Sequence, residues 1–588
     1  MTRQTSTNFQ RLFSEYLAPR KWLLLAGAVF VTISNLCSSL YPRLIGQSVD
    51  LIASGQAAWR SLALNLASIL SLTIGSGLFM FATRKTIIVA SRKIEYELRR
   101  DFLAALERQS QRFYDRMPTG VLMAHATNDI AAIREFLGPA IMYSANTLTT
   151  FAFVLVFMAK LDVPTTLVAL LPLPAIAWTT FRIGKRIYSA SKQVQEGYSE
   201  LTRTVQEAFS GVRILRAFVQ ERHESSLFAN QSKQYIESNL RLARLQALFM
   251  PTMMILVGLS QLLVLVFGGY RVLNGTLTIG MLTQFFLYIG QLIWPVAAIG
   301  WVSGIIQRSA ASLDRFYAII DHKPELTYPR VSIHQPIRYD IRCQHVFFHY
   351  GDGRTILQDI TFQIEEGIHV GIVGPVGAGK STLLRLLARL YDPDQGRITI
   401  GNIPLTEFAI NDLRTIIRMV PQEPFLFSLS VAENVRVGNP AATEQEIIAA
   451  LEAAGLLDEV EHFPQQLATI VGERGILLSG GQRQRLAIAR ALVGKPRILL
   501  LDDALSAVDT STEQRILYHL RQLECTTVIV SHRLSSVEHC DNIIVLENGK
   551  ITAQGTHTML RHTNPFYQLL LERQSIEQFY HVPPSTSR

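Results

Sequence analysis

Residues 374–381 read Gly-Pro-Val-Gly-Ala-Gly-Lys-Ser, which fits the spacing GxxxxGK[ST]. The apolar run His369–Val373 precedes them and a helical stretch, Thr382–Leu390, follows. Strand, glycine-rich turn and helix in that order form a phosphate cradle, because glycines let successive backbone N–H groups face one anion. Gly374, Pro375, Val376, Gly377, Ala378 and Gly379 would wrap the phosphate oxygens, with Thr382 beside them. Lys380 would reach the terminal phosphates and Ser381 a bound Mg²⁺. Further on, Asp502 closes the buried-strand pattern Arg497-Ile-Leu-Leu-Leu-Asp. A carboxylate there suits the second shell of Mg²⁺; taken alone, it could equally cap the next turn. Between the two features lies Leu478-Ser-Gly-Gly-Gln482. Ser479 with the amides of Gly480 and Gly481, at a helix N-terminus and followed by Gln482, makes a second anion site. A chain with its own phosphate loop has no internal use for that second clamp. The clamp makes sense if it closes on nucleotide held by another domain.

These residues need a scaffold, and the pattern from about residue 338 supplies one. Short β-branched runs such as Gly367–Val373 alternate there with helical stretches, the mark of an α/β domain over 338–588. Residues 321–337 are polar and hold three prolines, a linker signature. Residues 1–320 differ in kind. The whole chain of 588 residues is 48% hydrophobic and only 18% charged, where soluble domains carry ~25% charge. Mean hydropathy is +0.20. Six apolar runs are concentrated in the first half: Trp22–Gln47, Ser61–Thr83, Leu137–Ala159, Pro164–Phe181, Ala247–Val272 and Met281–Ile306. Spanning a bilayer takes ~20 helical residues, and only the fourth run, with Pro172 and Pro174, is weak. Phe9–Leu17 before them reads as an amphipathic elbow in the interface. No cleavable signal peptide is evident.

The net charge is +9. Its placement excludes a need for nucleic acid. Arg and Lys crowd the two long segments between spans two and three and between spans four and five, whereas the other loops carry few. The positive-inside bias puts both long segments and both termini in the cytoplasm. The long segments read as helices carried far beyond the membrane, interrupted at most at Gly184, Gly197 and Gly211. Cys37, Cys343, Cys525 and Cys540 are scattered, with no metal spacing, and read as reduced core thiols.

With Leu478–Gln482 between the phosphate loop and Asp502, the second half resembles an ATP-binding cassette (ABC) ATPase domain. The resemblance implies roles for further residues. Tyr350 corresponds to the aromatic that stacks on adenine, and Gln422 to the glutamine near Mg²⁺ and the attacking water. Asp509 corresponds to the D-loop aspartate and His532 to the switch histidine at the γ-phosphate. With six spans fused ahead of it, the chain resembles an ABC exporter half-transporter: an all-α six-helix transmembrane domain joined to an α/β P-loop domain. Thr469–Gly475 resembles the exporter x-loop, and Phe113–Gly120 and Glu207–Phe218 resemble the two intracellular coupling loops. The resemblance implies ATP and Mg²⁺ as cofactors, a second half-transporter as partner, and a cytoplasmic (inner) membrane location.

One position departs from the family pattern. After Asp502 the family usually places Glu as general base; here stands Asp503. The missing methylene retracts the carboxylate by roughly 1.3–1.5 Å, about one C–C bond. A base needs heavy-atom contact near ~2.6–3.2 Å, so hydrolysis slows. The run Asp502–Asp509 resembles the degenerate subunit of heterodimeric Mdl-type exporters. A slow homodimer is the alternative, as is an ATP-gated regulatory or channel-like ABC protein. Asn35, Asn146, Gln261, Gln284, Gln291 and Trp294 could line a cavity for an amphipathic drug-like or lipid substrate. Interhelical hydrogen bonding explains each of the polar ones as well.

Overall fold

The structure, a computed structural model, describes residues 3–55, 59–332, 336–351 and 353–581. The chain divides into two units, Met1–Arg108 with Met117–His322, and Gln109–Arg116 with Lys323–Arg588.

The first unit is helical. Among its described residues six helices are long and apolar enough to cross a membrane: Thr5–Ala53, Trp59–Glu107, Thr119–Leu161, Val163–Ser210, Glu221–Leu273 and Ile279–Ile320. Each contains one apolar run, and several continue well past it. Val89–Glu107 is unbroken helix because no Pro or Gly interrupts its apolar stripe of Ile94, Leu98 and Phe102, all buried. Gly184 and Gly197 lie inside the helix Leu173–Ser210, and only Gly211 ends it. The weak fourth run is interrupted at Leu171 and Pro172, between the helices Val163–Leu170 and Leu173–Ser210. Proline removes an N–H donor there and crowds the preceding turn.

Polar span residues tie helices together. Asn35 Nδ2 donates to the Asn146 carbonyl at 3.2 Å and to Thr149 Oγ1 at 2.6 Å. Gln291 Nε2 donates to the Ser38 carbonyl at 2.8 Å, and Gln284 is buried. For Asn35 and Gln291 the interhelical reading is thus the one the geometry carries. The segment expected as an amphipathic elbow is helical: the helix Arg3–Leu12 continues through Phe13–Leu17. It packs on the end of the sixth span. Thr5 and Asn8 donate to Asp314 at 2.8 and 2.7 Å, and Arg11 pairs with Asp321 at 2.5 Å. Leu12, Tyr16 and Leu17 are buried.

The second unit holds two sheets. Strands β1 (Ile341–His349), β2 (Thr355–Ile364), β4 (Gln395–Ile400) and β5 (Ile403–Pro404) form an antiparallel sheet in the order β2-β1-β4-β5. The larger sheet is ordered β10-β9-β3-β8-β7-β6, from β3 (His369–Val373), β6 (Ile417–Val420), β7 (Ile498–Asp502), β8 (Thr526–Val530), β9 (Asn542–Glu547) and β10 (Lys550–Gly555). All its pairs are parallel except β9 with β10. Every residue of β7 and β8 is buried because both faces are covered, which leaves no alternation.

Two further pieces belong to this unit. The short helix Gln111–Arg116, from the first long segment, packs with it: Tyr391 Oη donates to Asp115 Oδ2 at 2.5 Å, and Arg112 Nη2 to the His349 carbonyl at 3.1 Å. The linker expected at 321–337 is docked, apart from residues 333–335, which lie outside the described residues. Tyr328 Oη donates to the Arg389 carbonyl at 3.1 Å, and its ring lies 4.3 Å from the buried Arg389 guanidinium. Ser332 Oγ donates to Asp412 at 2.5 Å.

Candidate functional site

Strands β3, β8 and β7 are parallel neighbours, with Val530 opposite both Ile372 and Asp502. The phosphate loop after β3, Asp502 and Asp503 at the end of β7, and His532 after β8 therefore emerge at one carboxyl edge. Ligands of open α/β sheets bind at such an edge.

The phosphate loop has glycine for two different reasons. Gly377 and Gly379 have φ of +82° and +100°, in the left-handed region that side chains disfavour. Gly374 has no room, since a Cβ would overlap the Leu546 carbonyl. Pro375 and Val376 form the outward turn, Val376 fully exposed, while Ala378 is buried. Lys380 begins the helix Lys380–Leu387 and is buried. Its ammonium donates to the carbonyls of Gly374 at 2.7 Å and Pro375 at 2.9 Å. Burial lowers its pKa, against the pull of Asp503 and Asp502. The charge is thus held within the loop that would receive phosphate.

Ser381 Oγ donates to Asp502 Oδ1 at 2.8 Å. Burial is the largest influence on Asp502 and raises its pKa. Gln422, just past β6, donates from Nε2 to Asp503 Oδ2 at 3.4 Å. A hydroxyl, a carboxylate and a side-chain amide are hard oxygen donors, too few to encage an ion. Among the described residues no cluster of three or more His, Cys, Asp or Glu could hold a metal. That set fits Mg²⁺, which keeps several waters and takes substrate phosphates as ligands, and does not fit zinc.

Asp503 is buried and has φ of +50°. Its amide donates to the Val530 carbonyl at 2.9 Å, and its carbonyl accepts from Ser506 Oγ at 2.9 Å. His532 is exposed. Tyr350 lies at the end of β1, its ring against Phe348 and Tyr391. Its hydroxyl lies 3.2 Å from Thr382 Oγ1 and accepts from Arg385 at 3.3 Å. Arg385 was not among the expected residues. A signal for it exists, since it lies four residues after Ser381 on the same helix and so on the same face.

Ser479–Gln482, the signature residues, stand apart from this cluster. Ser479 caps the helix Gly480–Leu492 through a reciprocal box with Gln482, at 3.2 and 2.8 Å. Gln482 also donates to Glu459 at 2.6 Å. A Cβ on Gly481 would sit 2.8 Å from the Ala507 carbonyl, and one on Gly480 3.5 Å from Ala507 Cβ. Just before the box, Ile476 and Leu477 are 76% and 72% exposed. Asp509 caps the helix Thr510–Arg521, accepting from Ser511 Oγ at 2.6 Å and Thr512 N at 2.9 Å. Those bonds hold its carboxyl well below the usual range.

Family models match the chain twice, as ABC transporter transmembrane region over residues 24–296 and as ABC transporter over residues 357–506. Multidrug resistance-like ATP-binding protein MdlA of Escherichia coli is 35% identical over 574 residues, covering 96% of this chain and 97% of that protein. ATP-dependent lipid A-core flippase of Syntrophus aciditrophicus is 33% identical, covering 81% of this chain and 80% of that protein. The solved structure of a bacterial Atm1-family ABC exporter with ATP bound aligns with a TM-score of 0.78 at 27% identity. It covers 96% of this chain and 99% of that one.

Proposed function

The chain belongs to the ABC transporter family as an exporter half-transporter, a multi-pass membrane protein with an ATPase domain, and on that premise we propose that it exports amphipathic drug-like or lipid substrates across the cytoplasmic membrane as one subunit of a heterodimer. In this reading its own nucleotide site is impaired and its signature loop completes the partner's site. The nucleotide domain faces the cytoplasm.

The observation that carries the impaired-site reading is Asp503. It directly follows the carboxylate bonded to Ser381, on the edge where the phosphate loop opens. It is one methylene shorter than the base this position usually holds, and its backbone is tied to Val530 and Ser506. It therefore cannot advance by the missing ~1.5 Å. Tyr350, Lys380, Ser381, Gln422 and Asp502 hold one ATP, with Ser381, Gln422 and Asp502 toward Mg²⁺. The ion, when bound, neutralises charge on the phosphate oxygens. His532 reaches the γ-phosphate from β8, and Asp503 polarises the attacking water poorly. Asp509 and Ser479–Gln482 serve across the interface, where the partner supplies its own phosphate loop and a glutamate. ATP binding draws the two domains together and hydrolysis releases them.

The substrate class rests on two supports. The membrane unit places no acidic residue deep in a span, which disfavours a strongly cation-selective path. The relatives' names speak of multidrug resistance and of a lipid A-core flippase. Tagging the chain, purifying it from its own membrane and weighing the complex tests the assembly. A second polypeptide of similar size, with Glu after the aspartate that corresponds to Asp502, is expected. A complex of this chain alone would replace the reading with a slow homodimer.

A further inference from the structure

The end of β1 carries more than the ring that faces the base. Phe348, Tyr350 and Tyr391 form a closed three-ring cluster, with centroids 5.0, 5.5 and 5.5 Å apart and every pair edge to face. Edge-to-face contact fixes ring planes relative to one another. The Tyr350 hydroxyl is held by Thr382 and Arg385 of the phosphate-loop helix. Its ring is therefore fixed at the tip by the phosphate side and packed at right angles against Tyr391. Tyr391 is itself buried. Its hydroxyl is anchored by a single short bond, 2.5 Å to the carboxylate of Asp115. Burial, with that bond second, raises the Tyr391 pKa, which keeps the phenol a donor across the working range.

The same short helix grips the neighbouring residue. Arg112 donates to the His349 carbonyl at 3.1 Å, and its guanidinium lies 6.0 Å from the Phe348 ring. His349 is held in turn by Asp394, 2.6 Å from its backbone N–H and 2.7 Å from its ring. Residues 348–350 are thus braced from behind by residues 112 and 115, whose segment groups with this unit and not with the membrane-spanning one.

We propose that Tyr391, anchored by Asp115, is a positioning residue for the Tyr350 ring, so that the helix Gln111–Arg116 contributes to recognition of the nucleotide base. The proposal rests on the reading of Tyr350 as the base-stacking aromatic. It makes a distinction the phosphate loop cannot: loss of the anchor weakens ligands that have a base and spares those that have only phosphates.

The test uses the full complex in detergent, with this chain's site read by photolabelling with 2-azido-ATP. Competition by ATP and by inorganic tripolyphosphate gives the two affinities. Tyr391→Phe keeps the ring and removes the anchor. ATP should compete roughly three- to tenfold less well, the worth of one net hydrogen bond, while tripolyphosphate is unchanged. Asp115→Ala should do the same, and the double variant should be no worse than either single one, because both remove one bond. Equal weakening of both competitors, or no weakening of ATP, overturns the proposal, as does additivity of the two changes. Tyr350→Leu separates the two layers. If it leaves the ratio of ATP to tripolyphosphate affinity unchanged, base stacking on Tyr350 is what fails. If it shifts the ratio and Tyr391→Phe does not, only the positioning role fails.

Discussion

The phosphate-loop side and the signature side of the nucleotide unit are built to different standards of completeness. On the first, four polar side chains find partners within the chain. Lys380 rests on two carbonyls, Ser381 on Asp502, Gln422 on Asp503, and Tyr350 on Arg385 and Thr382. On the second, Ser479 and Gln482 satisfy only each other and Glu459, beside Ile476 and Leu477 in the open. A site with internal partners can hold ligand alone. A capped helix start with exposed apolar neighbours is a surface awaiting something. Under the proposed function the two sides serve different sites, so substitutions on them should fail differently.

The largest effect belongs to the closed side. Lys380→Ala removes the buried ammonium from the loop. A charge-assisted bond is worth ~1.5–3 kcal/mol, so ATP affinity at this chain's site should fall on the order of a hundredfold. Photolabelling of this chain measures it. Affinity within threefold of the parent would remove Lys380 from the phosphate site.

On the open side Ser479→Ala should cut total ATPase of the complex about tenfold, at a cost of ~1 kcal/mol in helix capping, and leave ATP affinity at this chain's own site untouched. Ser479→Asn separates capping from function, because Asn caps a helix as well as Ser does. Were Asn to restore full ATPase, the hydroxyl would be only a cap and the signature side would lose its assigned role.

The two sides also differ in how far they can be read from sequence. The phosphate loop is legible because phosphate geometry dictates both residue type and spacing, and Gly377 and Gly379 take the backbone angles that only glycine adopts cheaply. Apolar length marks the spans in the same direct way. Long-range pairings leave no such trace. Nothing periodic in Gln109–Arg116 announces that Asp115 will meet Tyr391, and proline-rich polarity in 321–332 looks loose although Tyr328 and Ser332 anchor it. Asn35 and Gln291 admit two readings in sequence, cavity lining and interhelical bonding. Polar residues in apolar helices suggest a cavity, while their amides are committed to neighbouring backbones. Asp503 is legible as a departure in type, but its positive φ is not, and that angle suits Asp better than Glu.

Asp503→Glu sharpens the comparison with a smaller effect in the opposite direction. Adding the methylene restores reach, so total ATPase of a complex with an intact partner should rise at most about twofold, since one base is already competent there. The left-handed backbone adds a penalty on the order of 1 kcal/mol to folding, visible as a slightly lower Tm. A rise of orders of magnitude would mean that both sites had been impaired, and so a homodimer.

The smallest effect on Tm falls on Asp509, where the helix cap and a role across the interface would draw on one carboxylate. Its bonds to Ser511 and Thr512 depress its pKa in the folded chain. A depressed carboxyl stabilises the fold above its unfolded pKa of ~3.9, and that stability is lost as pH falls through the folded value. Asp509→Asn keeps the cap, so Tm near neutrality should stay within a degree or two. The acid decline of Tm below ~pH 4 should become shallower. ATPase supplies the second reading. If the carboxylate acts across the interface, ATPase falls severalfold at unchanged Tm. An ATPase that follows Tm and nothing else would place Asp509 with the structural caps and leave Ser479–Gln482 as the whole of the open side's chemistry.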